Sequence, residues 1–335
     1  MCAKVGSPLY EHLLHRSAQD VERDGPIWSL LEDHDADPIE SMIGLRLLGA
    51  SHRLALEGSA AGLAAHYPST GGDGDPEAAW RELAAVAEGG GERLRELIRR
   101  PVQTNEVGRS AALLGGFLLI AARTGLPLRL LELGSSGGLN LRFDRYRYEG
   151  SAGSWGDADS PVRVTDTFEG QRPPLDASVA IAERAGCDPR PVDPATEEGR
   201  LTLLSYVWPD QPERLRQLEG ALEIVRRVPV EIEQAPAADW LERRLSEPWP
   251  GTATVVFHSI VMQYLEDEER ERVSRTLAAA GSRASAAEPL AHLAMEPGGE
   301  HADVRLTAWP EGPECLIATS GYHGRPVRWC RQLDA

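Results

Sequence analysis

The residues best able to bind a ligand lie in one glycine-rich stretch, Leu130–Asn140, which reads Leu-Leu-Glu-Leu-Gly-Ser-Ser-Gly-Gly-Leu-Asn. An apolar run ends in an acid, and small residues then turn the chain toward a predicted helix. Because glycine has no Cβ, such a turn approaches a ligand closely, and the N–H groups at a helix start attract hydrogen-bond acceptors. Close packing alone also produces turns of this kind, so the pattern needs support from other residues.

The spacing of this turn disfavours two nucleotide-binding motifs. A P-loop requires G-x-x-x-x-G-K-[ST], and no lysine follows Gly138. A dinucleotide fingerprint requires G-x-G-x-x-G, which the sequence Gly-Ser-Ser-Gly-Gly does not match.

A dense polar cluster precedes the apolar run 111–122 and contains Gln103, Thr104, Asn105, Glu106 and Arg109. Thr104 or Asn105 could cap the following helix, with Glu106 in its first turn. We expect the segment instead to fold over the glycine turn as one wall of a pocket. Gln103, Thr104 and Asn105 would contact substrate there, Glu106 would belong to the catalytic set, and Arg109 would clamp a carboxylate through its bidentate guanidinium.

His258 follows the apolar run 253–257 and should therefore lie at the carboxyl end of a strand, beside the glycine turn. An imidazole, with its pKa near neutrality, suits a general base acting on an amine or hydroxyl nucleophile. A buried structural histidine is the alternative. Tyr146, beyond the turn, is expected to reach the substrate, whereas Tyr264 is expected to pack. The nine histidines include no H-E-x-x-H or similar set, so no metal site is expected.

The elements that position these residues change in kind at Pro127. Apolar residues before it recur at helical spacing, which predicts a helical region over residues 1–124. Short apolar runs then alternate with helical stretches, which predicts a mainly parallel α/β sheet over residues 125–335 with an irregular insertion at about 147–176. The predicted strands are Arg129–Leu133, Val179–Cys187, Val230–Glu233, Thr254–His258, Leu290–Met295 and Cys315–Ser320, and the predicted helices are Gly138–Tyr146, Gln211–Val225, Ala237–Leu245 and Asp267–Ala280.

Composition limits the classes of partner. The 335 residues include 35 Lys and Arg against 52 Asp and Glu, a net charge of −17, which disfavours binding to nucleic-acid phosphates. The longest apolar run, 111–122, is too short to cross a bilayer. Cys2, Cys187, Cys315 and Cys330 are scattered, as in a protein of the reducing cytoplasm. We expect a cytoplasmic protein with a small-molecule substrate and no nucleic-acid or membrane partner; the sequence leaves a protein partner or homo-oligomer open.

Several motifs together resemble an uncharacterised, largely actinobacterial family, domain of unknown function 2332. The resemblance covers nearly the whole chain, and its most specific motifs are the 103–109 segment and the glycine turn. It rests on Gln103–Ala111, Leu131–Leu141, Asp144–Tyr146, Arg184–Asp193, Val207–Asp210, Val256–Ser259 and His323-Gly324. The resemblance implies a Rossmann-like sheet similar to that of class I methyltransferases, which use S-adenosylmethionine.

In that methyltransferase class, an acid stands two residues before the first glycine, the turn passes under the methionine part of the cofactor, and an acid ending the second strand holds the ribose hydroxyls. The resemblance therefore implies cofactor contacts from Glu132, Gly134, Ser136, Gly137, Gly138, Asn140 and Asp188, with Asp166 and Glu183 as alternative acids. Ser136 departs from the class, which has its middle glycine there, and Pro236 stands near the position of a common adenine-contacting Asp. The alternative is a derived fold without the cofactor, acting on another small polar metabolite or serving as a noncatalytic partner subunit.

Overall fold

The computed structural model describes residues 6–38 and 41–330 and divides into two compact units. One unit comprises residues 1–104 and 192–216, and the other comprises residues 105–191 and 217–335. The sequence placed residues 105–124 with the helical region and residues 192–216 with the sheet. In the structure, residues 105–124 belong to the sheet unit, where Phe117 packs against Phe257. Residues 192–216 belong to the helical unit, where Thr202 accepts a hydrogen bond from Arg53.

The helices are α1 (Pro8–Val21), α2 (Pro26–Leu31), α3 (Ile43–Leu56), α4 (Ala61–Ala64), α5 (Pro76–Glu88), α6 (Glu92–Ile98), α7 (Arg109–Thr124), α8 (Glu197–Ser205), α9 (Pro212–Val225), α10 (Ala237–Ser246) and α11 (Asp267–Gly281). Local sequence determines where several of these helices begin. Proline occupies the first turn of α1 and α5, and the Ser7 and Asp75 side chains cap these helices. Buried leucines such as Leu13, Leu48 and Leu83 form the core of the helical unit.

The strands are β1 (Leu128–Leu133), β2 (Arg147–Gly150), β3 (Gly153–Trp155), β4 (Arg163–Val164), β5 (Ile181–Asp188), β6 (Glu231–Gln234), β7 (Ala253–Ser259), β8 (Leu290–Pro297), β9 (Ala302–Trp309), β10 (Cys315–Ser320) and β11 (Val327–Trp329). Eight of them form one sheet in the order β11-β10-β9-β8-β7-β1-β5-β6. The five strands from β8 to β6 are parallel, and β8 to β11 run antiparallel. The predicted α/β sheet, mostly parallel at its centre, is confirmed.

Both faces of the central strands are covered, which explains their continuous apolar runs. On one face, Phe117 of α7 packs edge-on against Phe257 of β7, with ring centroids 5.1 Å apart. On the other face, α10 and α11 bury a cluster that includes Leu131, Leu133 and Val256. Side chains that alternate along β1 and β7 therefore point to different helical layers.

Two local predictions need correction. The helix expected over Gly138–Tyr146 is a 3₁₀ helix over Asn140–Arg145, with a non-helical backbone at Arg142. The insertion is partly ordered as a small sheet in the order β3-β2-β4, and the sequence also missed β9 and β11.

Within the described residues, no helix is long and apolar enough to cross a membrane. Cys187, Cys315 and Cys330 are free thiols, and Cys2 lies outside the described residues.

Candidate functional site

The order of the parallel strands reverses between β1 and β7. From β1 the chain adds β5 and β6 on one side, and it then adds β7 and β8 on the other. In open α/β sheets such a switch point leaves a crevice at the carboxyl ends of the strands, where ligands bind. The glycine turn follows β1 at this edge, and Ser259 ends β7 beside it.

Four of the sequence motifs meet at this edge. Asn105 Oδ1 accepts hydrogen bonds from Gly137 N and Leu139 N of the glycine turn. Arg109 donates to the carbonyl oxygen of Ser259. A Cβ on Gly108 would lie 2.4 Å from the His323 carbonyl oxygen, so these two segments are in close contact. The fold thus brings together residues that are more than 200 positions apart in the chain.

The backbone of the glycine turn needs unusual conformations. Gly134 and Gly138 have φ of +64° and +66°, and Ser136 has φ of +51° although it is not glycine. A Cβ at Gly134 would lie 2.7 Å from Val261 Cγ2. Ser136 therefore follows the path that a glycine would take, and a left-handed residue of this kind costs on the order of 1–3 kcal/mol.

The N–H groups of the turn are all occupied by protein acceptors from Ser135 to Leu139. Ser135 N donates to the Cys187 carbonyl oxygen at 3.0 Å, and Gly138 N donates to the Ser135 carbonyl oxygen at 2.7 Å. Ser136 N donates to Asp188 Oδ2 at 2.9 Å. Asn105 Oδ1 accepts the remaining two, at 3.2 Å from Gly137 N and 3.0 Å from Leu139 N.

Arg142, which the sequence analysis did not single out, donates hydrogen bonds to carbonyl oxygens of the turn. Arg142 Nη1 donates to the Gly138 oxygen at 2.8 Å, and Arg142 Nε donates to the Val228 oxygen at 2.8 Å. The Tyr146 hydroxyl donates to the Leu139 oxygen at 2.6 Å. Tyr146 is 0% exposed and its ring belongs to the core, and the substrate contact expected from it stays a prediction.

Glu132 and Asn140 each bring an unpaired acceptor to the turn. Both residues are 2% exposed, and Glu132 Oε2 and Asn140 Oδ1 are buried without a hydrogen-bond partner. Burial raises the pKa of Glu132 well above its usual range; the positive charge of Arg142 opposes this shift, and the negative charge of Asp188 adds to it. A buried acceptor without a donor is costly, and such atoms mark places where a donor-bearing ligand gains binding energy.

Asp188 is the acid that ends β5, next to the turn. Its two carboxylate oxygens accept from Ser136 N at 2.9 Å and Arg190 N at 2.8 Å. Of the alternative acids, Glu183 instead pairs with Arg129 at 2.6 Å in the first half of β5, and Asp166 lies in the insertion after β4. Among the three acids, Asp188 is therefore the one placed at the carboxyl edge beside the turn.

Arg109 and Glu106 hold backbone segments in place. Arg109 Nε donates to the Tyr322 carbonyl oxygen at 3.2 Å and Nη1 to the Ser259 oxygen at 3.1 Å, so its guanidinium joins the loop after β10 to the last residue of β7. Glu106 is buried, and its Oε1 accepts from Gly108 N at 3.0 Å. Gln103 and Thr104 belong to the helical unit, whereas Asn105 begins the sheet unit.

His258 lies on the opposite face of the sheet from Glu132. Glu132 is paired in register with Phe257, so the next residue along β7 points to the other layer. His258 is 1% exposed and is hydrogen-bonded through Nδ1 to Glu296 Oε1 at 2.7 Å and through Nε2 to His292 Nε2 at 2.9 Å. This geometry matches the structural alternative for His258 and gives its ring nitrogens no access to Glu132.

Glu296, at the end of β8, orders the loop after β7. Its Oε1 accepts from Val261 N at 2.9 Å and Met262 N at 3.3 Å. Ile260, just before them, has φ of +55°, which is rare for a β-branched residue. An acid directly after the predicted strand Leu290–Met295 was the sequence signal for this role. Tyr264, expected to pack, is 51% exposed in the same loop.

No group of three or more His, Cys, Asp or Glu side chains in the described part of the chain is arranged to hold a metal ion. The fold and this edge define an α/β protein with a mostly parallel sheet and a glycine turn at the switch point. The chain belongs to the family described as "Uncharacterized protein conserved in bacteria (DUF2332)", whose model matches residues 1–329. No curated protein and no solved structure matches it.

Proposed function

We propose that the protein is an enzyme that binds S-adenosylmethionine at the switch point and modifies a small molecule. The observation that carries the proposal is the pair of acids around the glycine turn: Glu132, with an unpaired buried oxygen, and Asp188, at the end of the neighbouring strand. Both acids face a turn whose backbone has the glycine-like path through Ser136. Acceptors at this edge match a ligand that carries an ammonium group and a ribose diol.

The residues fit the cofactor through acceptors rather than donors. Each Asp188 oxygen already accepts one backbone N–H, and a carboxylate oxygen has a second lone pair that a ribose hydroxyl can use. Glu132 Oε2 and Asn140 Oδ1 have no partner within the protein and would receive the ammonium group. Burial favours the neutral form of Glu132, and an ammonium group placed beside it would favour the carboxylate, because an opposite charge stabilises the ionised form. A hydrogen bond from a charged donor is about twice as strong as a neutral one.

S-adenosylmethionine supplies an activated methyl group, so the chain's own residues have to position more than to react. Orienting two reactants correctly accounts for a large part of the acceleration in such reactions. Arg109 and Glu296 fix the loop after β7, and Asp188 and Asn105 fix the turn after β1. These contacts keep the two sides of the crevice at a constant geometry while the substrate enters.

The second candidate is a derived fold that no longer uses this cofactor. Asn105 favours it, because its amide oxygen covers two N–H groups of the turn. Val261, packed against Gly134, also closes the space above the first glycine. In this case the same acids would bind another small polar metabolite.

Thermal unfolding with S-adenosylmethionine and S-adenosylhomocysteine tests the proposal. A ligand at a hundred times its dissociation constant adds about 2.7 kcal/mol of stability, a shift that is readily measured. Glu132→Gln should abolish the shift while the variant stays folded. Glu149→Gln is the control and should keep the shift, because Glu149 is a half-buried acid of β2 in the same unit that pairs with Arg147 and Arg163. A wild-type protein that shows no shift with either ligand contradicts the proposal.

A further inference from the structure

The glycine turn has the form of an anion-binding loop, but its donors are closed by the protein itself. Consecutive N–H groups after a strand commonly cradle phosphate. Here each N–H from Ser135 to Leu139 already donates to a protein oxygen. Two of these acceptors are side-chain oxygens: Asp188 Oδ2 accepts from Ser136 N, and Asn105 Oδ1 bridges Gly137 N and Leu139 N.

The charged groups around the turn also disfavour an anionic ligand. Asp188 contacts Ser136 N directly, and Glu132 lies buried at the end of β1. Arg142, the buried cation next to the turn, directs Nε and Nη1 to the carbonyl oxygens of Val228 and Gly138. A phosphate at this turn would therefore meet the Asp188 carboxylate and the Asn105 amide oxygen at the positions where it requires donors.

The acceptors that remain point to the opposite ligand chemistry. Glu132 Oε2 and Asn140 Oδ1 are buried and unpaired, on residues that are almost fully enclosed. Unpaired buried acceptors favour ligands with N–H or O–H groups and reject groups that bring only further acceptors. The turn is therefore complementary to amines and hydroxyls.

We propose that Asn105 is a specificity residue that excludes phosphate-bearing ligands from the glycine turn and restricts the site to donor-bearing, non-phosphorylated molecules. The inference rests on the proposed function only in placing the ligand at this edge. It assigns Asn105 the task of occupying two N–H groups that would otherwise bind an anion. A dinucleotide or nucleoside triphosphate is excluded by the same contact, although open α/β sheets in general bind such ligands at this edge.

The experiment is a calorimetric titration of inorganic pyrophosphate into the full-length wild type, Asn105→Ala and Asn105→Asp. Wild type should show no saturable binding at millimolar pyrophosphate. Asn105→Ala exposes two backbone donors and should gain about tenfold or more in affinity. Asn105→Asp is the matched control, since a carboxylate oxygen continues to accept from Gly137 and Leu139, and it should behave as wild type.

Hydrogen exchange at the Gly137 and Leu139 amides provides a readout that is independent of ligand. Both should exchange faster in Asn105→Ala than in wild type, while the rest of β1 remains protected. Pyrophosphate binding to wild type as tight as to Asn105→Ala overturns the inference, and so does faster amide exchange in Asn105→Ala without any gain in pyrophosphate affinity.

A parallel titration with S-adenosylhomocysteine separates this inference from the proposed function. If the wild type does not bind it but Asn105→Ala gains pyrophosphate, the cofactor assignment fails and the role of Asn105 stands. If the wild type binds both S-adenosylhomocysteine and pyrophosphate, the cofactor assignment stands and the exclusion role fails.

Discussion

Replacement of Asp188 should destabilise the glycine turn by an amount that follows from its two hydrogen bonds. Asp188 accepts from Ser136 N, which is buried, and from Arg190 N, which is only partly buried. In Asp188→Ala both bonds are lost, and water can replace the acceptor only at Arg190. A stranded buried N–H costs about 1–3 kcal/mol and a replaceable bond about 1 kcal/mol, so the expected loss is about 2–4 kcal/mol.

Asp188→Asn should lose less. Its amide oxygen can keep the bond to the buried Ser136 N–H, while its NH₂ group faces the partly solvated Arg190 N–H, for an expected loss of about 1 kcal/mol. The matched control is Asp157, an exposed acid of the same unit whose Oδ1 accepts from Asp159 N at 2.9 Å. Asp157→Ala should change stability by less than about 0.5 kcal/mol.

Urea unfolding, monitored together with amide exchange of the peptide that contains Ser136, measures these differences. Both the free energy of unfolding and the protection of the Ser136 amide should be lowest in Asp188→Ala, intermediate in Asp188→Asn and highest in Asp157→Ala. If Asp188→Ala is as stable as Asp157→Ala and its Ser136 amide stays protected, the carboxylate does not hold the turn and the reasoning is refuted.

Three further predictions concern stability and its pH dependence. Burial raises the pKa of Glu132 above its value in the unfolded chain, so the free energy of unfolding should fall as pH rises above about 4.5, by up to about 1.4 kcal/mol per pH unit. Glu132→Gln should remove this pH dependence in urea titrations, and an unchanged pH dependence would contradict the prediction. Burial lowers the pKa of His52 to about 4, so the neutral ring contributes fully to the free energy of unfolding above about pH 6.5. This contribution, roughly 3 kcal/mol, is lost as the pH falls from about 6.5 to about 4. His52→Gln should flatten that acid limb; an acid limb as steep as that of the wild type would argue against it. Arg109→Lys replaces a fork that spans two carbonyl oxygens with a single ammonium and should lower the melting temperature, with a loss of about 1–3 kcal/mol; an unchanged melting temperature would show that these bonds add nothing.

Continuous apolar runs made the central strands predictable. The residues of β1 and β7 are buried on both faces of the sheet, and strands of this kind are recognised in a sequence as nearly continuous apolar runs. The strand β9 is different, since Asp303 and Arg305 interrupt its apolar residues and leave no continuous apolar run. The three-residue strand β11 is too short to show a period in sequence, and it also bridges Phe168 of the distant insertion through Val327. The strands of the small sheet have only two to four residues each.

The sequence predicted which segments of the chain meet at the site, but it did not predict the individual hydrogen bonds between them. The approach of the 103–109 segment to the glycine turn was expected, and Asn105 makes that contact. Which Asn105 atom would satisfy which N–H depends on tertiary geometry. The separation of His258 from Glu132 follows from strand alternation, but only once the pairing of Glu132 with Phe257 fixes the register.

The helix expected after the turn shows how local sequence was overridden. The residues 138–146 contain helix-compatible types, but Arg142 and Tyr146 direct their polar groups back to the carbonyl oxygens of the turn. These bonds compete with regular α-helical pairing, and a 3₁₀ segment results.

The most direct test of the central claim is a calorimetric titration of S-adenosylhomocysteine into the wild-type protein and into Asp188→Asn. The proposed site predicts saturable binding with one ligand per chain in the wild type and clearly weaker binding in Asp188→Asn, whose amide presents one acceptor fewer to the ribose hydroxyls. Absence of heat at millimolar ligand in a folded wild-type protein would contradict the claim, and so would equal affinity in the two proteins.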